Sequence, residues 1–80
     1  MKLTYIYNEG PDPVFLAEYQ GQKCKVMFIR SEVDYGWTWL DYLPEYTEED
    51  SGRASLTQDQ EEEIMEMLND VDWRAIKEAA

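Results

Sequence analysis

Residues 2–30 contain three short segments separated by turn-forming residues, and this arrangement constrains the fold more than any other feature. The segments are KLTYIYN, VFLAEY and KCKVMFIR, which are rich in aromatic and β-branched residues. NEGPDP and QGQ separate them and have the composition of turns. Cys24, Val26 and Phe28 lie at alternate positions of the third segment, and a period of two is typical of a strand. We predict antiparallel strands at about 2–8, 14–19 and 23–30.

A fourth segment, WTWLDYL at residues 37–43, follows a turn at Tyr35 and Gly36. Its alternation favours a fourth strand, with Trp37 and Trp39 on one face and packed under a helix. The residues that follow, PEYTEEDSGRAS, include four acids with Pro, Gly and Ser and show no periodicity. We predict a mobile acidic surface loop at 44–56.

The C-terminal third has the pattern of an amphipathic helix. Thr57 and Gln60 match a capping box, and Ile64 and Leu68 belong to an apolar stripe with three- and four-residue spacing. We predict a helix at about 58–69, for which Ser55 is a rival N-cap. Either Asn69 with Asp70, or Asp72, could end this helix and cap a second short one at 72–79. The predicted class is α+β, a single domain over residues 1–80. In it a three- or four-stranded antiparallel sheet has a C-terminal helix packed on one face.

Charge is distributed unevenly along the chain. The first 31 residues carry three acids and four bases, whereas residues 32–72 carry fourteen acids and a single base, Arg53, and the total formal charge is −11. Solubility alone explains a charged helix face, but it does not require bases to be nearly excluded over half of the chain. The distribution therefore favours an acidic surface that engages something cationic.

The predicted C-terminal helix carries a row of this charge. At 100° per residue, the apolar positions around Ile64 and Leu68 lie almost opposite a set of five acids. The five are Asp59, Glu62, Glu63, Glu66 and Asp70. Like charges four residues apart each destabilise a helix by about 0.2–0.5 kcal/mol, so a face under no other demand would usually interleave lysine. We interpret the row as a surface for a basic groove of the kind that holds nucleic-acid phosphates.

Aromatic rings accompany the acids of the neighbouring stretch. WTWLDYLPEYTEED contains five carboxylates and no base. Tyr and Trp are favoured at protein interfaces, where arginine stacks on their faces. Tyr42 and Tyr46, interleaved with Asp41 and Glu45, are therefore predicted to supply charge and stacking contacts to one partner.

Several classes of function are disfavoured. The chain has no histidine, one cysteine and no nucleotide-binding, protease or hydrolase motif, so we expect no catalytic residues, no cofactor and no metal site. The ligand sets of zinc, iron and copper are excluded, and a hard, oxygen-seeking cation at the acidic loop is the one alternative left open. The negative charge argues against direct nucleic-acid binding. With a lone Cys24, no signal-peptide core and no apolar run near the roughly 18 residues that cross a bilayer, we expect a cytoplasmic protein without membrane contact.

These properties resemble phage-encoded acidic inhibitors that imitate DNA, including anti-CRISPR and anti-restriction proteins. The likeness is a general one, in the short cysteine-poor chain, the acidic helix face and the tyrosines among the loop acids. It implies a protein that occupies the positively charged nucleic-acid-binding surface of a DNA-targeting nuclease or a CRISPR surveillance complex. The implied partner-binding residues are Asp41, Tyr42, Glu45, Tyr46, Glu48, Glu49, Asp50, Asp59, Glu62, Glu63, Glu66 and Asp70.

Two other interpretations fit the same residues. An immunity or antitoxin protein that plugs one dedicated basic toxin would also present an acid-rich surface with tyrosines. A solvated acidic face with no inhibitory role would keep a small, aromatic-rich domain in solution. Composition is the same in all three cases, so the arrangement of the acids in the fold is the relevant observation.

Overall fold

Four antiparallel strands form a meander in the computed structural model, which describes all residues from Met1 to Ala80. The strands are β1 (Lys2–Glu9), β2 (Asp12–Tyr19), β3 (Gln22–Ile29) and β4 (Gly36–Trp39), and they lie side by side in sequence order. The predicted α+β class is confirmed in its four-stranded form. Positive backbone φ angles at Gly10 and Gly21 allow the two tight turns that join the first three strands.

Three helices follow the sheet: α1 (Glu48–Ser51), α2 (Gln58–Leu68) and α3 (Trp73–Ala79). The capping box at α2 is present, because the Thr57 hydroxyl accepts the Gln60 N–H at 3.1 Å and the Gln60 side chain accepts the Thr57 N–H at 3.0 Å. Asp72 caps α3, a C-terminal helix of only seven residues. None of these helices has the length and apolar character required to cross a membrane.

Residues 40–56 differ from the prediction. β4 ends at Trp39, and a 3₁₀ turn at Leu40–Tyr42 replaces the second half of the predicted strand at 37–43. Leu40 is fully buried, so the chain turns there to place it in the core. The segment predicted as a loop at 44–56 contains α1, which begins with a capping box between Thr47 and Asp50, and a second 3₁₀ turn. The structure corrects that prediction, because a Thr-x-x-Asp pattern nucleates a helical turn even in a short acidic segment.

The sheet buries apolar side chains on both faces. On one face, Phe15, Val26 and Phe28 pack with Ile64 and Leu68 of α2. The other face buries a smaller group, Val14, Met27, Ile29 and Leu40, which is covered in part by Leu43 and Tyr46. The alternation seen in the sequence of β3 therefore separates two cores, and residues 40–46 cover the second one.

Aromatic contacts stabilise the larger core. Trp37 and Trp39 are both half-buried against it, as predicted. Trp37 lies 5.4 Å from Phe15 and 5.3 Å from Phe28, measured between ring centroids. Burial raises the pKa of the Cys24 thiol to about 11, so this side chain stays neutral and packs as a small apolar group.

A bulge in β1 distributes two tyrosines between the two cores. Tyr5 pairs with Phe15 and Tyr7 pairs with Val14, so Ile6 is the extra residue on β1 and is 38% exposed. Residues directly opposite each other in an antiparallel pair lie on the same face. Tyr5 therefore faces the helices and Tyr7 faces the second core, although they are only two positions apart.

The core assignment of α2 is tested by replacing Leu68, which is fully buried. Leu68→Ala should lower the free energy of unfolding by about 2 to 5 kcal/mol, because it removes buried methyl groups and leaves a cavity. Glu62→Ala on the exposed face is the matched control and should change it by less than about 0.5 kcal/mol. Urea denaturation measures both free energies. Equal stability for the two variants would mean that the face of α2 assigned to the core is wrong.

A second stability test concerns the contact of α1 with the sheet. Gly52 ends α1 with φ of +80°, and a Cβ there would lie 2.3 Å from the backbone oxygen of Lys23. Gly21 has a similar φ of +78° but open space around it. Both alanine variants carry a left-handed backbone cost of about 1 to 2 kcal/mol, and only Gly52→Ala adds a clash with β3. Thermal unfolding should therefore show a larger loss for Gly52→Ala, and equal losses would contradict the close packing.

Candidate partner-binding site

Arg53, the only base between residues 32 and 72, pairs with acids from three segments. Its Nε lies 3.2 Å from both carboxylate oxygens of Asp41. Its terminal nitrogens reach Glu48 at 3.0 Å and Glu61 at 3.3 Å. Because Asp41 follows β4, Glu48 begins α1 and Glu61 lies in α2, one guanidinium group joins all three segments.

Asp41 is not the exposed partner-binding residue that the sequence predicts. Only 8% of its side chain is exposed, and the Arg53 guanidinium holds the pKa of this carboxyl below its ordinary value. A partner that drew Asp41 away would leave a charge of the largely buried pair uncompensated, which is costly. Asp41 is therefore a structural residue, and the candidate surface excludes it.

The predicted row of acids on α2 is exposed. Asp59, Glu62, Glu63 and Glu66 lie in α2, whereas Asp70 lies just beyond its end at Leu68, and all five are exposed. The opposite face of the helix buries Ile64 and Leu68. None of the five acids forms a salt bridge with a base of the chain. We call this set the α2 acidic face, and its charge is left for contacts outside the molecule.

Three members of the α2 acidic face border one open groove. Glu63, Glu66 and Asp70 line it together with Tyr19 and Met67, and its volume is about 340 Å³. The Tyr19 hydroxyl donates a hydrogen bond to the Glu63 carboxylate, and this bond raises the Tyr19 pKa. The groove combines carboxylates, an aromatic ring and a thioether, which are the groups that a guanidinium from another protein contacts best.

The loop acids lie on the other flank of α2. Glu61 and Glu63 are two residues apart and therefore point about 200° apart around the helix. Glu61 pairs with Arg53, whereas Glu63 accepts from Tyr19. Since Glu48 shares Arg53 with Glu61, the acids of α1 belong to the Arg53 flank. The structure therefore divides the predicted site into two parts instead of one continuous patch.

Two of the acids around α1 have roles within the fold. Asp50 accepts the backbone N–H of Thr47 at 2.9 Å, and this bond lowers the Asp50 pKa. Glu48 pairs with Arg53. Glu45 and Glu49 are exposed and form no salt bridge. Of the predicted acids in this segment, these two are the ones left for a partner.

The two predicted stacking tyrosines differ in accessibility. Tyr42 is 54% exposed and donates a hydrogen bond to Asp34 at 3.0 Å. Tyr46 is half-buried against the second core and donates to Glu9, a bond that raises the Tyr46 pKa. Tyr42 therefore has a ring face available to a partner, whereas the ring of Tyr46 mainly packs inside the fold.

The sequence does not predict Tyr19 as a site residue, although a signal for it exists. Phe15, Ala17 and Tyr19 alternate in β2, which places Tyr19 on the helix-covered side just beyond the buried core. Val33 and Tyr35 are two further exposed apolar side chains, at 88% and 61%, in the connection between β3 and β4. Their exposure has no sequence signal, because it depends on where the connection projects from the sheet.

Comparison with known proteins finds no match among protein-family models, curated proteins or solved structures. No group of three or more acidic or cysteine side chains is arranged to hold a metal ion. Carboxylates, with a few aromatic rings among them, are the most numerous exposed groups of this surface. Their chemistry is the binding of cations by charge, hydrogen bonding and stacking.

The Arg53–Asp41 pair should make stability depend on acid pH. The folded pKa of Asp41 lies below its ordinary value of 3.8, so its contribution is complete above that value and is lost as the pH falls through the folded pKa. Asp41→Asn should lower the free energy of unfolding at neutral pH by about 1 to 3 kcal/mol and flatten its decline on acidification.

Urea denaturation over a series of pH values measures this effect. Glu49→Gln removes an exposed acid of α1 that has no ion pair, and it should leave the pH profile unchanged. Parallel profiles for Asp41→Asn and the unaltered protein would contradict a stabilising pair.

Proposed function

We propose that this protein is a small inhibitor that occupies the positively charged nucleic-acid-binding surface of another protein and so acts as a DNA mimic. The partner class is a DNA-targeting nuclease or a CRISPR surveillance complex, as the resemblance to phage-encoded acidic inhibitors implies. The observation that carries the proposal is the α2 acidic face, five exposed carboxylates without a base among them, three of which border one groove.

The spacing of charge on α2 supports mimicry of a phosphate backbone. Asp59, Glu62, Glu63 and Glu66 extend over about 10.5 Å of helix at 1.5 Å per residue, so charges recur about every 3.5 Å. Each strand of duplex DNA carries one negative charge per about 3.4 Å of its axis. A groove shaped for a phosphate backbone would therefore meet a similar density of charge on this helix.

The position of Arg53 supports the same function. This base pairs with three acids inside the fold and is directed away from the α2 acidic face. Repulsion among the five exposed acids is therefore not relieved within the chain, and each like-charged pair four residues apart opposes helix formation. A basic groove that supplied arginine and lysine side chains would relieve this repulsion on binding.

The groove beside Tyr19 supplies a contact that a phosphate backbone lacks. An arginine from the partner can pair with Glu63 or Glu66 and lie against the Tyr19 ring, which gives the complex directional contacts in addition to long-range charge. Binding should therefore combine fast, salt-sensitive association with slow release. These properties suit a protein that must displace a competing nucleic acid.

Capture of partners from a bacterial lysate tests the proposal when it is carried out at about 50 mM and about 200 mM salt. We expect the captured protein to bind nucleic acid, to be retained less at the higher salt, and to be released by excess duplex DNA. A partner that binds duplex DNA and this chain at the same time would overturn the mimicry. A captured basic toxin without a nucleic-acid site would instead favour an immunity-type function.

Paired variants then identify the binding face. Glu63→Gln with Glu66→Gln should weaken binding to the captured partner by about tenfold or more, because both side chains border the groove. Glu32→Gln with Glu78→Gln makes the same change in net charge at exposed acids outside α2 and should weaken it by less than about threefold. Binding is measured by titration calorimetry, and equal losses for the two variants would remove the α2 acidic face from the interface.

A further inference from the structure

Three of the seven basic side chains converge on a pocket that shares no residue with the acidic groove. The pocket is lined by Arg30, Trp73, Arg74, Lys77 and Glu78, and its volume is about 250 Å³. Gln22, at the start of β3, pairs with Tyr19 of the acidic groove, whereas Arg30 directly follows the other end of the same strand. At about 3.3 Å per residue, Tyr19 and Arg30 lie near opposite ends of the sheet, whereas Asp70 of the groove precedes Trp73 of the pocket by three residues.

The three bases of this pocket have no ion-pair partner within the chain. Arg30, Arg74 and Lys77 form no salt bridge, although the protein has eighteen acids and only seven bases. Glu78 lines the pocket without pairing with any of them. The three basic side chains therefore keep their hydrogen-bond donors free for an anion.

The Trp73 ring contacts two of the cations. The guanidinium carbons of Arg74 and Arg30 lie 4.5 Å and 5.6 Å from the centroid of the Trp73 ring. Trp73 is only 6% exposed and stacks against Phe28 with 5.2 Å between ring centroids. The indole is therefore a rigid support, and both guanidinium carbons lie within 5.6 Å of the same ring centroid before any ligand arrives.

The remaining contacts fix the edge of the pocket. The Lys77 ammonium nitrogen lies 5.6 Å from the centroid of the Tyr5 ring. The backbone N–H of Arg30 donates to Asp12 at 2.8 Å, which positions Arg30 at the end of β3. The three bases thus come from two elements, and each is oriented by a contact that leaves its charge free.

We propose that this pocket binds a phosphate-class oxyanion, either free phosphate or the terminal phosphate of a small molecule. Two planar guanidinium forks and one ammonium match the several oxygens of such an anion. Asp12 and Asp72 lie beside the site, where they accept the backbone N–H groups of Arg30 and Arg74, so the anion is attracted by the unpaired side-chain donors and not by a large net charge.

Two observations restrict the ligand further. The Trp73 ring is stacked by Phe28 and covered by guanidinium groups, so a nucleobase has no aromatic face to stack on. The volume of about 250 Å³ is below the roughly 300 to 1,000 Å³ of pockets for drug-sized ligands. The recognised part is therefore the phosphate group, and the site is independent of the partner proposed for the α2 acidic face.

Titration with inorganic phosphate, followed by NMR at constant ionic strength, tests the proposal. We expect saturable shifts of the Trp73 indole N–H and of the Arg30 and Arg74 side-chain N–H groups, with a Kd of about 1 mM or lower. Sodium chloride in place of phosphate should produce no saturable change. Shifts that stay linear in phosphate, or that chloride reproduces, would overturn the site.

Substitutions of the residues that line the pocket test where phosphate binds. Arg74→Gln and Lys77→Gln should each weaken phosphate binding by about tenfold, and Glu78→Gln should strengthen it, because the rim then loses its only acid. Lys25→Gln, which removes another base that forms no salt bridge, is the matched control and should leave the affinity unchanged. An equal loss in Lys25→Gln, or weaker binding in Glu78→Gln, would contradict the proposal.

The same titration distinguishes the two sources of the phosphate group. Glycerol phosphate carries a terminal phosphate on a small organic group without a ring. Tighter binding of glycerol phosphate than of inorganic phosphate would support a small-molecule monoester, and equal or weaker binding would support the free ion. Saturable binding of neither compound at the site would overturn both forms of the proposal.

Discussion

The ion-pair network of Arg53 is the interaction on which the acidic half of the molecule depends. The turn after β4, helix α1 and helix α2 each bring a carboxylate to the same place, and without a cation those carboxylates would repel one another at short range. One guanidinium converts this repulsion into attraction and joins the three segments. Because Arg53 pairs with these three acids, it does not neutralise the α2 acidic face. Arg53 thus joins the three segments and leaves the α2 acidic face without a base.

Acidic and basic side chains line two different sites of the molecule. The groove beside Tyr19 is bordered by carboxylates, whereas the pocket around Trp73 is bordered by bases, and β3 separates them. A chain with a net charge of −11 would ordinarily scatter its few bases among its acids to reduce repulsion. Here three bases are gathered on aromatic rings at one end. The groove beside Tyr19 therefore has no base in its lining, and the pocket has one acid, Glu78.

Local patterns in the sequence predict much of the fold, and long-range contacts decide the rest. The first three strands and α2 follow from alternation, turn residues and the Thr57 capping box, all of which are local signals. The end of β4 is not set by a local signal, because it depends on the packing of Leu40 in a core formed with β2 and β3. The exposure of the α2 acids was predictable from helical periodicity. The burial of Asp41 was not, because it depends on Arg53, twelve residues away, which the sequence shows only as an isolated base.

The bulge at Ile6 also affects how the sheet meets other chains. β1 is an outer strand of eight residues, and the unpaired backbone groups on its free side are a natural template for another strand. A bulge breaks the regular spacing of those groups and bends the strand, so an incoming segment loses register after a few residues. The irregularity therefore works against the addition of a further strand, and against fibril-like stacking, at this edge of the sheet.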